Sequence, residues 1–96
     1  MNVKYKKYID YIVKDIELPY LKSLKPYGLK QEEMNLVLGI VFNRPVTIKG
    51  NQRVYDINGN EIYYENSTGY WFKREYNLNG NIIYFEDITG VIIDNR

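Results

Sequence analysis

Apolar side chains change their spacing part-way along this chain, from a helical period in the first half to a strand period in the second. From Tyr5 they fall at Tyr5, Tyr8, Ile9, Ile12, Val13 and Ile16, with Lys6, Lys7, Asp10, Lys14 and Asp15 on the other side. Steps of three and one predict an amphipathic helix over about residues 4–17 whose stripe packs on the rest of the domain. Pro19 ends or restarts it, because proline lacks an amide donor and clashes with the preceding turn. A short turn through Leu21 and Leu24 follows before Pro26. A second helix is predicted over residues 31–42, with Glu32 and Glu33 in the first turn, where the positive end of the helix dipole favours carboxylates. Asn43 and Pro45 stop it. Met34, Leu36, Val37, Leu38, Ile40, Val41 and Phe42 make it apolar over most of its circumference, which predicts a central helix buried on more than one side.

The second half is a repeat. Residues 53–69, RVYDINGNEIYYENSTG, match residues 74–90, REYNLNGNIIYFEDITG, at ten of seventeen positions with a period of 21. Each copy is then one supersecondary unit stacked beside the next. A shorter pattern recurs within them: Asp56-Ile57-Asn58-Gly59, Asn66-Ser67-Thr68-Gly69, Asn77-Leu78-Asn79-Gly80 and Asp87-Ile88-Thr89-Gly90. Asp or Asn at the first position of a type I turn accepts bonds from the backbone beyond it, and Gly at the fourth takes the positive φ of a G1 bulge. The pattern predicts three-residue hairpin loops joining five strands near 52–56, 60–66, 70–77, 81–87 and 91–94, with a sixth from Pro45 to Lys49. The fold class is α+β: N-terminal helices packed on a five- to six-stranded antiparallel meander. It forms a single domain over residues 1–96, helical over 1–44 and built of β-hairpins over 45–96.

Pairing Asp56 with Asn60, Asn66 with Tyr70 and Asn77 with Asn81, then alternating, assigns the two faces. Val54, Ile62, Tyr64, Tyr70, Phe72, Tyr76, Ile82, Tyr84 and Ile92 are expected to cover the helices. Arg53, Tyr55, Glu61, Tyr63, Glu65, Trp71, Lys73, Glu75, Ile83 and Phe85 are expected to face outward. This second set mixes aromatics with both signs of charge, the mixture enriched in protein interfaces. It nominates Tyr55, Tyr63, Trp71, Lys73, Phe85 and Arg53 as the partner-binding residues.

Composition narrows the chemistry. The 96 residues hold a single core, and 45% of them are hydrophobic, ample to bury. Thirteen basic and twelve acidic side chains leave a net charge of +1, which gives no general drive toward nucleic acid. Arg44, Lys49, Arg53 and Lys73 among the aromatics are the nearest approach to a single-strand stacking platform, and the interleaved acids oppose it. The chain has no Cys and no His, so thiolate ligands, disulfides and the commonest metal ligand and general base are excluded. Ser23 and Ser67 therefore lack a histidine partner. Glu65 and Glu86 tempt a paired-acid reading, but the register sends them to opposite faces. The glycines follow turn patterns and none opens a helix, so no phosphate loop is present. Neither an enzyme nor a cofactor is expected. The N-terminus lacks the apolar stretch of a signal peptide and no run is long enough to span a membrane, so the expected location is cytoplasmic.

The string YDINGNEIYYENSTGYWFKREYNLNGNIIYFEDITG resembles the YD-type and Rhs-like hairpin repeats, and also hairpin repeats of uncharacterised phage and prophage proteins. It covers about residues 53–90. The phage resemblance implies a small inhibitor of a host defence protein, such as an anti-CRISPR, acting as a non-catalytic protein-binding module. Similarity to choline-binding repeats implies the alternative, a small ligand or glycan held by Trp71 and its tyrosine neighbours. The short apolar final strand, Val91 to Asp94, also leaves an edge suited to homodimer pairing.

Overall fold

The computed structural model describes the backbone of residues 3–96 and the side chains of residues 9–96. Three helices precede a six-stranded antiparallel sheet, the α+β arrangement expected. Helix α1 spans Val3–Asp15, α2 spans Tyr20–Leu24 and continues into a 3-10 turn at Lys25–Tyr27, and α3 spans Gln31–Val41. Ile9 and Ile12 of the α1 stripe are buried; its Tyr5 and Tyr8 lie outside the described side chains. Pro19 stands at the N-cap of α2, where its missing N–H costs nothing.

Helix α3 opens with the Lys30 N–H donating to the Glu33 carboxylate at 3.0 Å, and Asn43, at φ +57°, ends it in the left-handed conformation. It packs on α1 and on the first strand through Val37 and Leu38, both fully buried. Burial on several sides is not what forms: Leu36 and Ile40 are 39% and 43% exposed. One sheet and one neighbouring helix cover only one stripe of a helix this short.

Strands β1 (Val46–Lys49), β2 (Arg53–Asp56), β3 (Glu61–Glu65), β4 (Trp71–Tyr76), β5 (Ile82–Asp87) and β6 (Ile92–Asp94) lie side by side in chain order. The turns form as their residues dictate. Asp56 Oδ1 accepts from the N–H groups of Asn58 and Asn60, and Asn66, Asn77 and Asp87 bond the residue two positions on in the same way. Gly59, Gly69, Gly80 and Gly90 all have φ between 80 and 95°, a region L side chains avoid.

Each copy of the repeat carries a β-bulge at the same position. Val54 pairs with Tyr63 while Tyr55 pairs with Glu61, leaving Ile62 extra; Glu75 pairs with Tyr84 while Tyr76 pairs with Ile82, leaving Ile83 extra. At the first bulge two successive side chains, Ile62 and Tyr63, join Val54 on the buried side, all at most 1% exposed. An inserted residue inverts the alternation beyond it. The expected faces therefore hold up to Ile62, are exchanged from Tyr63 to Ile82, and hold again from Tyr84. Tyr63, Glu65, Trp71, Lys73 and Glu75 face the helices, whereas Tyr64, Tyr70, Phe72 and Ile82 face outward; Tyr76, at the second bulge, packs partly buried against the core as expected.

The two edges of the sheet differ. At β1, α3 supplies partners for the outward backbone groups of Ile48: its N–H donates to Asn35 Oδ1 at 2.9 Å and its carbonyl accepts from the Gln31 amide. At β6 every residue is exposed, Ile92 at 62% and Ile93 at 52%.

Candidate protein-interaction surfaces

Beneath the helices, Tyr63 and Glu65 form the anchor of α2. The Tyr63 hydroxyl donates to Glu65 Oε1 at 2.6 Å and accepts the Tyr20 N–H at 2.9 Å. The Glu65 carboxylate accepts Leu21 N–H at 2.6 Å and Lys22 N–H at 2.9 Å. Three successive amides at the start of a helix with no side-chain cap of its own are thus satisfied from the sheet, and the carboxylate meets the positive end of the helix. Burial, and then the hydrogen bond to Glu65, push the Tyr63 phenol far above its ordinary value. The Tyr63 ring lies 5.3 Å from that of Tyr20 and 5.9 Å from that of Phe42.

This pair corrects the expected binding surface. Tyr63 is fully buried and Trp71 is 8% exposed, so both are core. Lys73, partly buried, holds its ammonium over the rings of Tyr20 and Trp71 at 5.2 and 5.8 Å. Arg53, Tyr55 and Phe85 face outward as expected. The six nominated residues are divided between two faces. Glu65 and Glu86, expected on opposite faces, share the inner one, each hydrogen-bonded to the tyrosine two positions before it.

The outward face carries a different aromatic set. Tyr64 of β3 stacks on Phe72 of β4 at 5.4 Å, and Phe72 stacks on Phe85 of β5 at 5.9 Å. Tyr70 meets both Tyr64 and Phe72 at 6.4 Å. Arg53 lies over the Tyr64 ring at 4.7 Å and Arg74 over the Phe72 ring at 4.3 Å. Glu61 pairs with both guanidinium groups, at 2.6 and 3.9 Å. Lys49 covers Tyr55 at 5.0 Å. Such pairs each contribute about 0.5–1.5 kcal/mol beyond area burial, so the ladder stiffens the sheet as well as forming its surface. No family model, curated protein or solved structure matches the chain.

Tyr64, Tyr70, Phe72 and Ile82 are outward residues that alternation assigns to the core. A signal for them lies in the sequence: Ile62-Tyr63-Tyr64 and Ile83-Tyr84-Phe85 are unbroken apolar runs at equivalent places in the two copies, and a run that breaks alternation twice at one repeat position marks a bulge. The four cations considered as a nucleic-acid platform are likewise not gathered. Lys49 and Arg53 belong to the outward face, Lys73 to the inner one, and Arg44 pairs with Glu75 of the inner face at 3.8 Å. Among the described residues no group of three or more acidic side chains converges as a metal cage, and no helix is long and apolar enough to cross a membrane.

Proposed function

We propose that the protein is a non-catalytic protein-binding module whose partner docks on the outward aromatic ladder of the sheet. The observation that carries this reading is the Tyr64–Phe72–Phe85 stack, bordered by Arg53 and Arg74 and left partly exposed on the side of the sheet away from the helices. Aromatic and arginine side chains grouped in this way are the composition of interface centres. Glu61 pairs with both arginines and leaves the three groups a net charge of only +1, a weaker draw for a phosphate backbone than two free cations. The partner class, a host defence protein inhibited by a small phage or prophage protein, follows from the resemblance of the repeat.

Affinity purification from a bacterial lysate, read by mass spectrometry, tests this. A discrete protein is expected, retained through nuclease treatment and lost with Phe72→Ala plus Phe85→Ala, while circular dichroism stays native. Binding should change little between about 50 and 200 mM salt, a range over which several phosphate contacts lose roughly a thousandfold or more. Nuclease-sensitive recovery with a steep salt slope would replace the reading with single-stranded nucleic acid. Retention on cell-wall polysaccharide alone would replace it with glycan.

A further inference from the structure

The second repeat carries a copy of the α2 anchor that holds no helix. Tyr84 and Glu86 follow Tyr63 and Glu65 by the 21-residue period, lie on the same face, and repeat the same bond, Tyr84 hydroxyl to Glu86 Oε1 at 2.7 Å. The first pair is covered by α2. The second opens onto a groove of about 310 Å³ bordered by Tyr20, Phe42, Lys73 and Arg96. Arg96 lies over the Tyr84 ring at 4.2 Å, but its hydrogen bonds go to Glu75 and Asp94. Among the described residues nothing donates to Glu86 Oε2 or to the Tyr84 oxygen, the two atoms whose counterparts accept Lys22 N–H and Tyr20 N–H. The bond to Glu86, and then burial, raise the Tyr84 phenol above its ordinary value, so it remains a neutral donor near pH 7, as Tyr63 does.

We propose that Tyr84 and Glu86 dock the first turn of a helix from a partner protein, accepting three consecutive backbone N–H groups as Tyr63 and Glu65 accept those of Tyr20, Leu21 and Lys22. The internal copy defines what fits. The helix begins without a side-chain cap and without an acidic residue in its first turn, as α2 does, so its amides are free and its positive end meets the carboxylate. Within this chain α2 is already engaged, α3 brings its own Glu33 and α1 packs on α3, and the site is assigned to a helix of another protein. The site lies on the face opposite the aromatic ladder and is independent of the function proposed for that ladder.

The probe is a synthetic peptide with the sequence of residues 17–30, titrated into the ¹⁵N-labelled full chain. Saturable shifts are expected at the backbone amides of Lys73, Tyr84 and Glu86. Glu86→Gln and Tyr84→Phe should each weaken binding about tenfold, the effect of one hydrogen bond to a charged group, while Phe72→Ala leaves it unchanged. A peptide N-methylated at the Leu21 and Lys22 positions should bind the unaltered protein at least about tenfold more weakly. Equal binding of the methylated peptide, affinity unchanged by Glu86→Gln, shifts confined to Tyr63 and Glu65, or no saturation by about 1 mM would each overturn the proposal.

Discussion

The hydroxyl of Tyr63 and the carboxylate of Glu65, 2.6 Å apart on one strand, together hold a helix start 44 residues earlier in the chain. Removing the carboxylate strands two helix amides and a buried phenol, and each unsatisfied group costs about 1–3 kcal/mol. Glu65→Ala should therefore destabilise the protein by roughly 3 kcal/mol or more. Glu65→Gln keeps one acceptor oxygen and should cost about half of that. Urea denaturation measures both, and hydrogen exchange at Leu21 and Lys22 should accelerate first. A Glu65→Ala midpoint close to that of the parent would contradict the anchor.

Trp71 and Phe72 are adjacent and stand on opposite faces, so truncation should separate them. Trp71→Ala opens the core beside Glu65 and should cost about 3–5 kcal/mol. Phe72→Ala removes two stacked ring pairs from a partly exposed ladder and should cost about 1–2 kcal/mol. Equal losses in urea would mean that the two faces are equally buried.

How much of this was legible beforehand depends on which rule governs each residue. The turns followed from four Asp or Asn positions and four glycines, because turn chemistry is local. The strands and their order followed from the turns. The faces did not follow between Tyr63 and Ile82, because alternation counts residues and a bulge adds one to the count. Tyr63 then exchanged a presumed interface for the core, and Phe72 did the reverse. The anchor of α2 was illegible for a different reason: Glu65 and Leu21 share no periodicity, and only the folded chain brings them together.

Acid should act at the last turn. The Thr89 hydroxyl donates to Asp87 Oδ1 at 2.5 Å, and this bond above all holds the Asp87 carboxyl below its ordinary value of 3.8. A carboxyl depressed in the folded state contributes stability that is present above the unfolded value and is lost as pH falls through the folded one. Asp87→Asn installs the residue found one repeat earlier at Asn66, where Thr68 donates in the same way, and it does not titrate. The urea midpoint of this variant should fall less steeply than that of the parent below about pH 4. Parallel curves would remove Asp87 from the acid response.

Pairing through β6 should give a homodimer, since its exposed backbone and the side chains of Ile92 and Ile93 offer an unguarded edge. Light scattering should report twice the chain mass at high micromolar concentration, and Ile93→Lys should return it to the monomer. A monomer throughout would refute edge pairing.

The guarding of β1 by Gln31 and Asn35 gives the sheet a valence of one. A ribbon with two open ends can add subunits without limit, whereas one with a single open end is saturated by its first partner, and the pair closes on a two-fold axis. If β6 pairs as expected, two amide side chains on α3 would set the ceiling on assembly, since they hold the backbone of Ile48, where a third strand-donating molecule would have to begin.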